Sequence, residues 1–433
     1  MMEGWKRVKI GDLGEVITGN TPPKKDPANY GGDYPFIKPT DMEIDRRYIT
    51  NWEENYSEKA FKRYKNSYIP PKATGVVTIG TVGEKIFQAD RYCFTNQSVN
   101  VVIPNENYDE DFVYYVLKIN LPKVLNANPG TASGRHHVSK SNFCAIKIDV
   151  PKSKETQRKI ASILSAYDDL IENNLKRIKL LEAQAQLTYE EWFSVSGTPK
   201  GWNEYVIGDL IEFHIGGGWG QEVKEEGYPV PAFVIRGTDM DNLPLGSIGN
   251  VPFRWHKKSN LKSRKLQDGD IVFEVSGGSS NEGVAKTTLI TEGLLKQFDS
   301  DVMCASFCKL MRPKTRDYSY ALIMFLKYLR KTKGTEIFEK RSASNIVNYN
   351  WEAFLKYQKI KMPNNELLKE FNQLIEPQIN SIYILGNQIT KLKEARDILL
   401  PRLMSGMIDL EKLEVGSLKY KVNDSLGKVA EGR

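Results

Sequence analysis

The decapeptide Gly4-Trp5-Lys6-Arg7-Val8-Lys9-Ile10-Gly11-Asp12-Leu13 returns 197 residues later as Gly201-Trp202-Asn203-Glu204-Tyr205-Val206-Ile207-Gly208-Asp209-Leu210. An ordered repeat decides an architecture before local propensity does. Working outward, Phe36-Ile37-Lys38 ahead of Thr40-Asp41-Met42 matches Val234-Ile235-Arg236 ahead of Thr238-Asp239-Met240, at a shift of 198. Gly75-Val76-Val77-Thr78-Ile79-Gly80 corresponds to Asp270-Ile271-Val272-Phe273-Glu274-Val275-Ser276-Gly277, both apolar β-type runs closed by glycine. Thr131-Ala132-Ser133 and Asn142-Phe143 match Ser342-Ala343-Ser344 and Ala353-Phe354, at a shift of 211. Each copy then ends on a strand-like segment closed by proline, Ile146 to Pro151 and Ile360 to Pro363. The shift grows slowly, as loop insertions make it. Agreement in order at these places identifies a duplication.

After each proline the period changes from strand to helix. Ile160, Leu164, Tyr167, Ile171, Asn174, Ile178, Leu181, Ala185, Thr188 and Trp192 keep a 4-3 spacing with no glycine or proline among them. That is a heptad seam, the mark of a coiled coil. Between Lys154 and Glu191 there are six basic and seven acidic residues, so this helix is built to meet another helix rather than phosphate. The second copy supplies the partner through Ile375, Ile382, Leu385, Ile389, Leu392, Leu399 and Leu403, interrupted by Pro377 and Gly386. A kink or a fresh start is expected near Pro377. Asn174 is either a buried register-fixing polar residue or a solvated one. A rod over 160–192 is about 50 Å long at 1.5 Å per residue. An antiparallel pair of such rods would set the two globular domains apart by a distance that, if they bind DNA, spans roughly 15 base pairs at 3.4 Å per pair.

Composition sets the class. The chain has 433 residues, 40% hydrophobic and 27% charged, which predicts two or three domains with real cores. No apolar run approaches the ~20 residues of a membrane span, and the opening Glu3, Trp5 and Lys6 are not a secretory signal, so a cytoplasmic protein is expected. Cys93, Cys144, Cys304 and Cys308 do not make a disulfide framework, and no ligand set completes a metal site around them. The net charge of +7 is compatible with nucleic acid. Arg254, Lys257, Lys258, Lys262, Arg264 and Lys265, with His256 and no acid among them, form either a solvated loop or a strip facing phosphate.

Catalytic motifs are not found. Gly278-Ser279-Ser280-Asn281-Glu282-Gly283 opens like a P-loop, but Lys286-Thr287 arrive two residues late. Gly216-Gly217-Gly218-Trp219-Gly220 has the wrong spacing for a dinucleotide fingerprint. His136-His137 has no ligand cluster around it, and Thr21-Pro22-Pro23-Lys24 is not an adenine-methyltransferase signature. A binding protein is the reading this leaves.

Taken in order, these residues resemble the specificity (S) subunit of type I restriction–modification systems. The likeness rests on Gly-Trp and Gly-Asp-Leu at the head of each half, on Thr40-Asp41-Met42 and on Thr95-Asn96-Gln97-Ser98. It continues through Glu155-Thr156-Gln157-Arg158-Lys159-Ile160-Ala161, Leu181-Glu182, and Arg396-Asp397-Ile398-Leu399-Leu400-Pro401-Arg402-Leu403-Met404-Ser405-Gly406, covering about residues 5 to 408. The second half departs from the pattern. Ala305-Ser306 stand where Asn96-Gln97 would recur, and Lys369-Glu370-Phe371 replace the Gln-Arg-Lys-Ile opening of the helix.

The resemblance implies an α+β protein: two tandem globular α/β target-recognition domains joined by two long helices that form an antiparallel coiled coil, a pseudo-twofold internal repeat. The expected domains are residues 1–152 and 196–363, with helices at 153–195 and 364–408 and a polar, disordered tail at 409–433. It further implies double-stranded DNA as ligand, with two methyltransferase (M) subunits and restriction (R) subunits as partners. S-adenosylmethionine, ATP and Mg would sit on those partners, and no catalytic or metal residue is expected in this chain. A coiled-coil scaffold that binds only other proteins is the alternative.

Base edges are read by Arg, Lys, Asn, Gln, Ser and Thr from loops. The candidates in the first domain are Lys38, Thr40, Thr78, Gln97, Arg135, His136 and His137. Those in the second are Arg236, Thr238, Arg254, Lys257, Lys258, Ser276, Ser279 and Arg341. The expected helix interface comprises Ile160, Leu164, Tyr167, Ile171, Asn174, Ile178 and Leu181, facing Ile382, Leu385, Ile389, Leu392, Leu399 and Leu403.

Overall fold

The computed structural model describes residues 4–128, 136–193, 202–277, 283–341, 346–408 and 410. Apart from Leu410, the tail expected to be disordered lies outside these residues. The duplication is repeated strand by strand. In the first domain the strands Gly14–Thr18, Val99–Pro104, Thr74–Val77 and Ile86–Gln88 form one sheet in that spatial order. In the second, Ile211–Gly216, Cys308–Pro313, Ile271–Glu274 and Thr287–Leu289 form a sheet of the same order. A three-stranded sheet follows in each. Glu54–Tyr56, Tyr30–Ile37 and Phe94–Thr95 form it in the first, and Phe253–His256, Val230–Ile235 and Val302–Cys304 in the second. Both contain one antiparallel and one parallel pairing.

The opening decapeptide is explained by what it does. Trp5–Lys9 pairs antiparallel with Lys147–Pro151, so each domain is closed by its own first and last strands; Asn203–Val206 pairs likewise with Lys359–Met362. The Ile-Gly-Asp-Leu that follows makes a tight turn burying its Ile and Leu, Ile10 and Leu13 or Ile207 and Leu210. Asp12 Oδ2 accepts the Lys9 N–H at 2.7 Å. A Cβ on Gly208 would lie 3.1 Å from the Leu355 carbonyl oxygen, so the glycine lets helix Trp351–Tyr357 sit this close without being pushed outward.

The long helices are Lys154–Phe193 and Asn365–Met404, 40 residues each. By compactness the chain divides inside them, into Met1–Asp168 with Ala395–Arg433 and Asp169–Glu394. Each unit therefore holds one domain, the start of that domain's own helix and the end of the other. In the second unit Ile171, Ile178, Ile382, Leu385 and Ile389 are buried together, with Leu181 and Leu392 half-buried against them. Asn174 donates to Gln388 at 3.3 Å, while Trp192 and Phe193 reach Phe371, so the helices run antiparallel. Each fully buried Ile or Leu of this seam contributes about 1.5–3 kcal/mol. Asn174 is buried, which decides its reading in favour of a polar residue inside the seam. In the first unit Ile160 and Leu164 share a core with Leu400, Leu403 and Met404, and Leu399 packs on its edge. Tyr167 is half-buried.

Two expectations about the second helix are corrected. It does not start afresh at Pro377 but runs unbroken from Asn365 to Met404. Pro377 lies on the exposed side, and the Gln378 side chain donates to the Leu374 carbonyl at 2.9 Å, satisfying an acceptor beside the missing proline donor. Gly386 is not a break either. A side chain there would overlap the Pro244 carbonyl oxygen, and Thr390 Oγ1 donates to the Gly246 carbonyl at 2.7 Å. The glycine is a notch into which the loop at Leu243–Leu245 docks.

The first unit carries a buried ionic cluster at the helix junction. Arg396, fully buried, donates through Nη1 to Asp168 Oδ1 at 2.6 Å, and Tyr115 donates its hydroxyl to Asp168 Oδ2 at 2.6 Å. Arg47, also buried, joins through Tyr115, Gln88 and Asp111. The helices correspond at a shift of 211, so the second unit has Ile379 for Asp168 and Ala185 for Arg396. A cavity of about 280 Å³ lined by Ala185, Ile379, Met324 and Tyr383 occupies that place.

Candidate nucleic-acid interface

The loops carrying the candidate readers are gathered by backbone hydrogen bonds that both domains repeat. The Asn96 N–H binds the Ile37 carbonyl, placing the Gln97 loop beside Lys38; the Ala305 N–H binds the Ile235 carbonyl, placing Ser306 beside Arg236. Thr78 N–H binds the Ser98 carbonyl and Val138 N–H the Thr78 carbonyl; Val275 and Tyr349 repeat this with Phe307 and Val275. One end of each domain thus collects the loops after four strands. These pairings also establish the residue equivalences: Lys38 with Arg236, Gln97 with Ser306, Val77 with Glu274 and Thr21 with Trp219.

In the first domain Thr40, Gln97, His136 and His137 are exposed. Lys38 is held by Glu53 at 2.6 Å and Glu54 at 3.4 Å, which leaves its ammonium largely neutralised. Gln97 accepts from the Thr21 hydroxyl, and His136 Nδ1 contacts Asn128 Nδ2 at 2.7 Å. Thr78 is the correction here. It is 1% exposed, its hydroxyl accepts from Asn100 Nδ2 at 3.0 Å, and it braces the sheet end rather than presenting an edge to solvent. Arg135 falls outside the described residues.

In the second domain Arg236, Thr238 and Ser276 line one cleft of about 570 Å³. Arg236 is fixed by Asp239, with Nε at 2.9 Å and Nη2 at 2.7 Å, and Ser276 Oγ lies 2.7 Å from Asn348 Oδ1. Arg254 stacks over Trp219 at 5.0 Å, and Trp219 is a wall of the same cleft. The basic strip is not a loop: it is the strand Phe253–His256 followed by the helix Lys258–Arg264. Three of its six basic side chains have partners in the chain, Arg254 pairing with Glu222 at 3.2 Å. Arg264 Nε binds the Gly216 carbonyl at 2.9 Å, Lys265 pairs with Asp301 at 2.5 Å, and buried His256 is held toward neutrality by desolvation. Lys257, Lys258 and Lys262 remain exposed. Arg341 closes the strand Glu339–Arg341, and Ser279 lies outside the described residues.

Sequence reasoning misses three cleft residues, Trp219, Glu274 and Phe307. Glu274 has a signal: it is the one acid in an apolar run whose counterpart ends in Val77. Trp219 and Phe307 have none, because a surface aromatic reads the same in a binding wall and in a loop. Gly217 is a point of close backbone approach within this chain: a side chain there would overlap the Cys304 and Ala305 carbonyl oxygens. All four cysteines are free, and among the described residues no His, Cys, Asp and Glu cluster is placed to hold a metal. Among the same residues no helix is long and apolar enough to cross a membrane.

Two copies of one loop-gathering domain, each followed by a long helix, define a duplicated recognition protein. Residues 2–183 match the type I restriction modification DNA specificity domain. The chain is 28% identical over 433 aligned residues to the MjaIX specificity subunit of Methanocaldococcus jannaschii, covering 94% of both chains. It is 34% identical over 186 residues to the HindI specificity subunit of Haemophilus influenzae, covering 41% of this chain and 39% of that one. The S subunit from M. genitalium shares the fold, with a TM-score of 0.57 at 15% identity, over 92% of this chain and 96% of that one. Over residues 2–183 the chain thus matches a DNA specificity domain, and along nearly its whole length it is similar to type I restriction enzyme specificity subunits.

Proposed function

We propose that each domain reads one half of a bipartite DNA sequence and that the helix pair serves as the seat of methyltransferase subunits. The observation that carries this is the doubled loop cluster: two domains of one topology present the same strand ends with different side chains. Two readers of one design with different surfaces suit two half-sites of different sequence. The helix pair supports two equivalent docking faces. Leu187 and Ile398 occupy the same position in the repeat, and both are exposed, at 63% and 53%. Apolar residues repeated on a solvent face suit a protein partner that binds twice.

In this reading the chain supplies binding and orientation only. Methyl transfer from S-adenosylmethionine, and ATP- and Mg-dependent work by restriction subunits, belong to the partners, in the cytoplasm where the DNA is. The test is methylation by the complex of this chain with its methyltransferase, on a randomised duplex library. A methylated sequence in two separated blocks is expected. One undivided block overturns the reading.

A further inference from the structure

The cleft of the second domain holds a group the fold does not require. Glu274 ends the strand Ile271–Glu274, is 6% exposed, and its Oε2 has no hydrogen-bond partner among the described residues. A buried polar atom without a partner is costly, and a carboxylate more so. The first domain provides an internal control. It builds the same strand, in the same sheet order, with Val77 at this position. The fold therefore tolerates an apolar residue there.

The surroundings differ from the first copy in step with it. Pro39 becomes Gly237, and a side chain on Gly237 would overlap the Glu274 carboxylate, so the glycine makes room for the acid. Thr21 and Ser98 become Trp219 and Phe307, exposed at 40% and 64% on the cleft wall. Lys286 bonds to Asp241 at 2.6 Å, and Glu274 uses its own N–H on the Lys286 carbonyl. An acid, a glycine and two aromatics have been installed together in one concave site.

We propose that this cleft receives one unstacked nucleobase of the second half-site, stacked against Trp219 and Phe307, with the Glu274 carboxyl accepting from its exocyclic amino group. The physical reasons are shape and chemistry. A base still in the duplex presents its edge at the floor of a groove and is met by protruding side chains. An acid at the floor of a 570 Å³ cavity does not protrude, so only a base turned out of the stack reaches it. Aromatic walls suit any base face, whereas the acid selects bases that carry an amino group and rejects thymine, which offers a carbonyl instead. Ser276 and Thr238 at the rim offer hydroxyls to the neighbouring backbone.

This inference rests on the bipartite-reader function, and the test keeps the two apart. Full-length wild type, Glu274→Gln and Glu274→Val are each put through selection from a randomised duplex library. Both variants are expected to lose, on the order of 10-fold, the preference at a single amino-bearing base of one half-site, with the other half-site unchanged. Glu274→Val installs the residue of the first copy, and its melting curve shows that the fold is kept. Wild type is then tested on the selected duplex with a mismatch opposite that base. An unpaired base costs less to turn out, so binding is expected to tighten severalfold. Variant profiles identical to wild type, or a mismatch that fails to tighten binding, overturn the proposal and leave the bipartite reading standing. A wild type that selects no split sequence overturns the bipartite reading itself.

Discussion

At the residue scale, Arg396 anchors the helix junction of the first unit. It is fully buried, and its guanidinium is the charged partner of Asp168 at 2.6 Å. Arg396→Ala leaves that carboxylate with the Tyr115 hydroxyl alone, and a loss of about 3–5 kcal/mol in urea unfolding is expected. Arg396→Met together with Asp168→Leu is expected to cost less than the single change, because the buried carboxylate goes with its counter-ion, and Asp397, which also pairs with Arg396 at 2.8 Å, is half exposed. Glu274 gives the opposite result. Burial raises its carboxyl above the usual carboxylate range, with Lys286 and Arg330 pulling the other way. A folded-state value above the unfolded one means that ionising the group opposes folding, so its contribution is lost as pH rises through the raised value. Glu274→Val is therefore expected to melt above wild type, by a margin that is small near pH 4 and wider at pH 7. Thermal melts across that range check it. The pairing of Arg396 with Asp168 is not legible in the sequence. Arg396 lies in a motif near the end of one helix and Asp168 lies off the seam of the other, so nothing in either segment marks that the two meet.

At the element scale, the long helices are legible from period alone; Ile171, Ile178, Ile382, Leu385 and Ile389 are buried where the period puts them, whereas Tyr189 and Leu400 are buried one residue beyond Thr188 and Leu399. Pro377 and Gly386 mislead because a helix breaker is defined by its neighbours. Pro377 faces solvent and forgoes one hydrogen bond, whereas Gly386 accepts a loop from elsewhere in its domain. Pro377→Ala is expected to stabilise the second unit by about 1–3 kcal/mol, since interior proline costs about 3. Gly386→Val is expected to destabilise it by expelling that loop. Chemical denaturation reads both. If the helix pair seats two methyltransferase subunits as proposed, Leu187→Asp and Ile398→Asp are each expected to remove one of them from the complex, read by native mass. The basic strip is legible as charge but not as structure. Its exposed lysines stand on the helix Lys258–Arg264, and replacing Lys258 and Lys262 by Gln is expected to lower the slope of log affinity against log salt by about 0.9 for each phosphate no longer neutralised. An unchanged slope removes them from the footprint.

At the scale of the whole molecule, the duplication is legible because strand-closing motifs such as Gly-Trp and Ile-Gly-Asp-Leu are fixed by packing and diverge slowly. The readers are less so, because loops are free to differ: Arg236 and Ser276 can be picked out by residue type, and the walls of their cleft cannot. The junction cluster has one more consequence. If the first half of the chain were made alone, through its helix, two copies pairing antiparallel would set each Asp168 against Ala185, the residue that corresponds to Arg396. Each such homodimer would bury two carboxylates without the guanidinium that binds Asp168 at 2.6 Å. The unlike halves are thus mutually coded, and a severed first half is expected to stay monomeric until Ala185→Arg restores its counter-ion, an outcome that sedimentation would show.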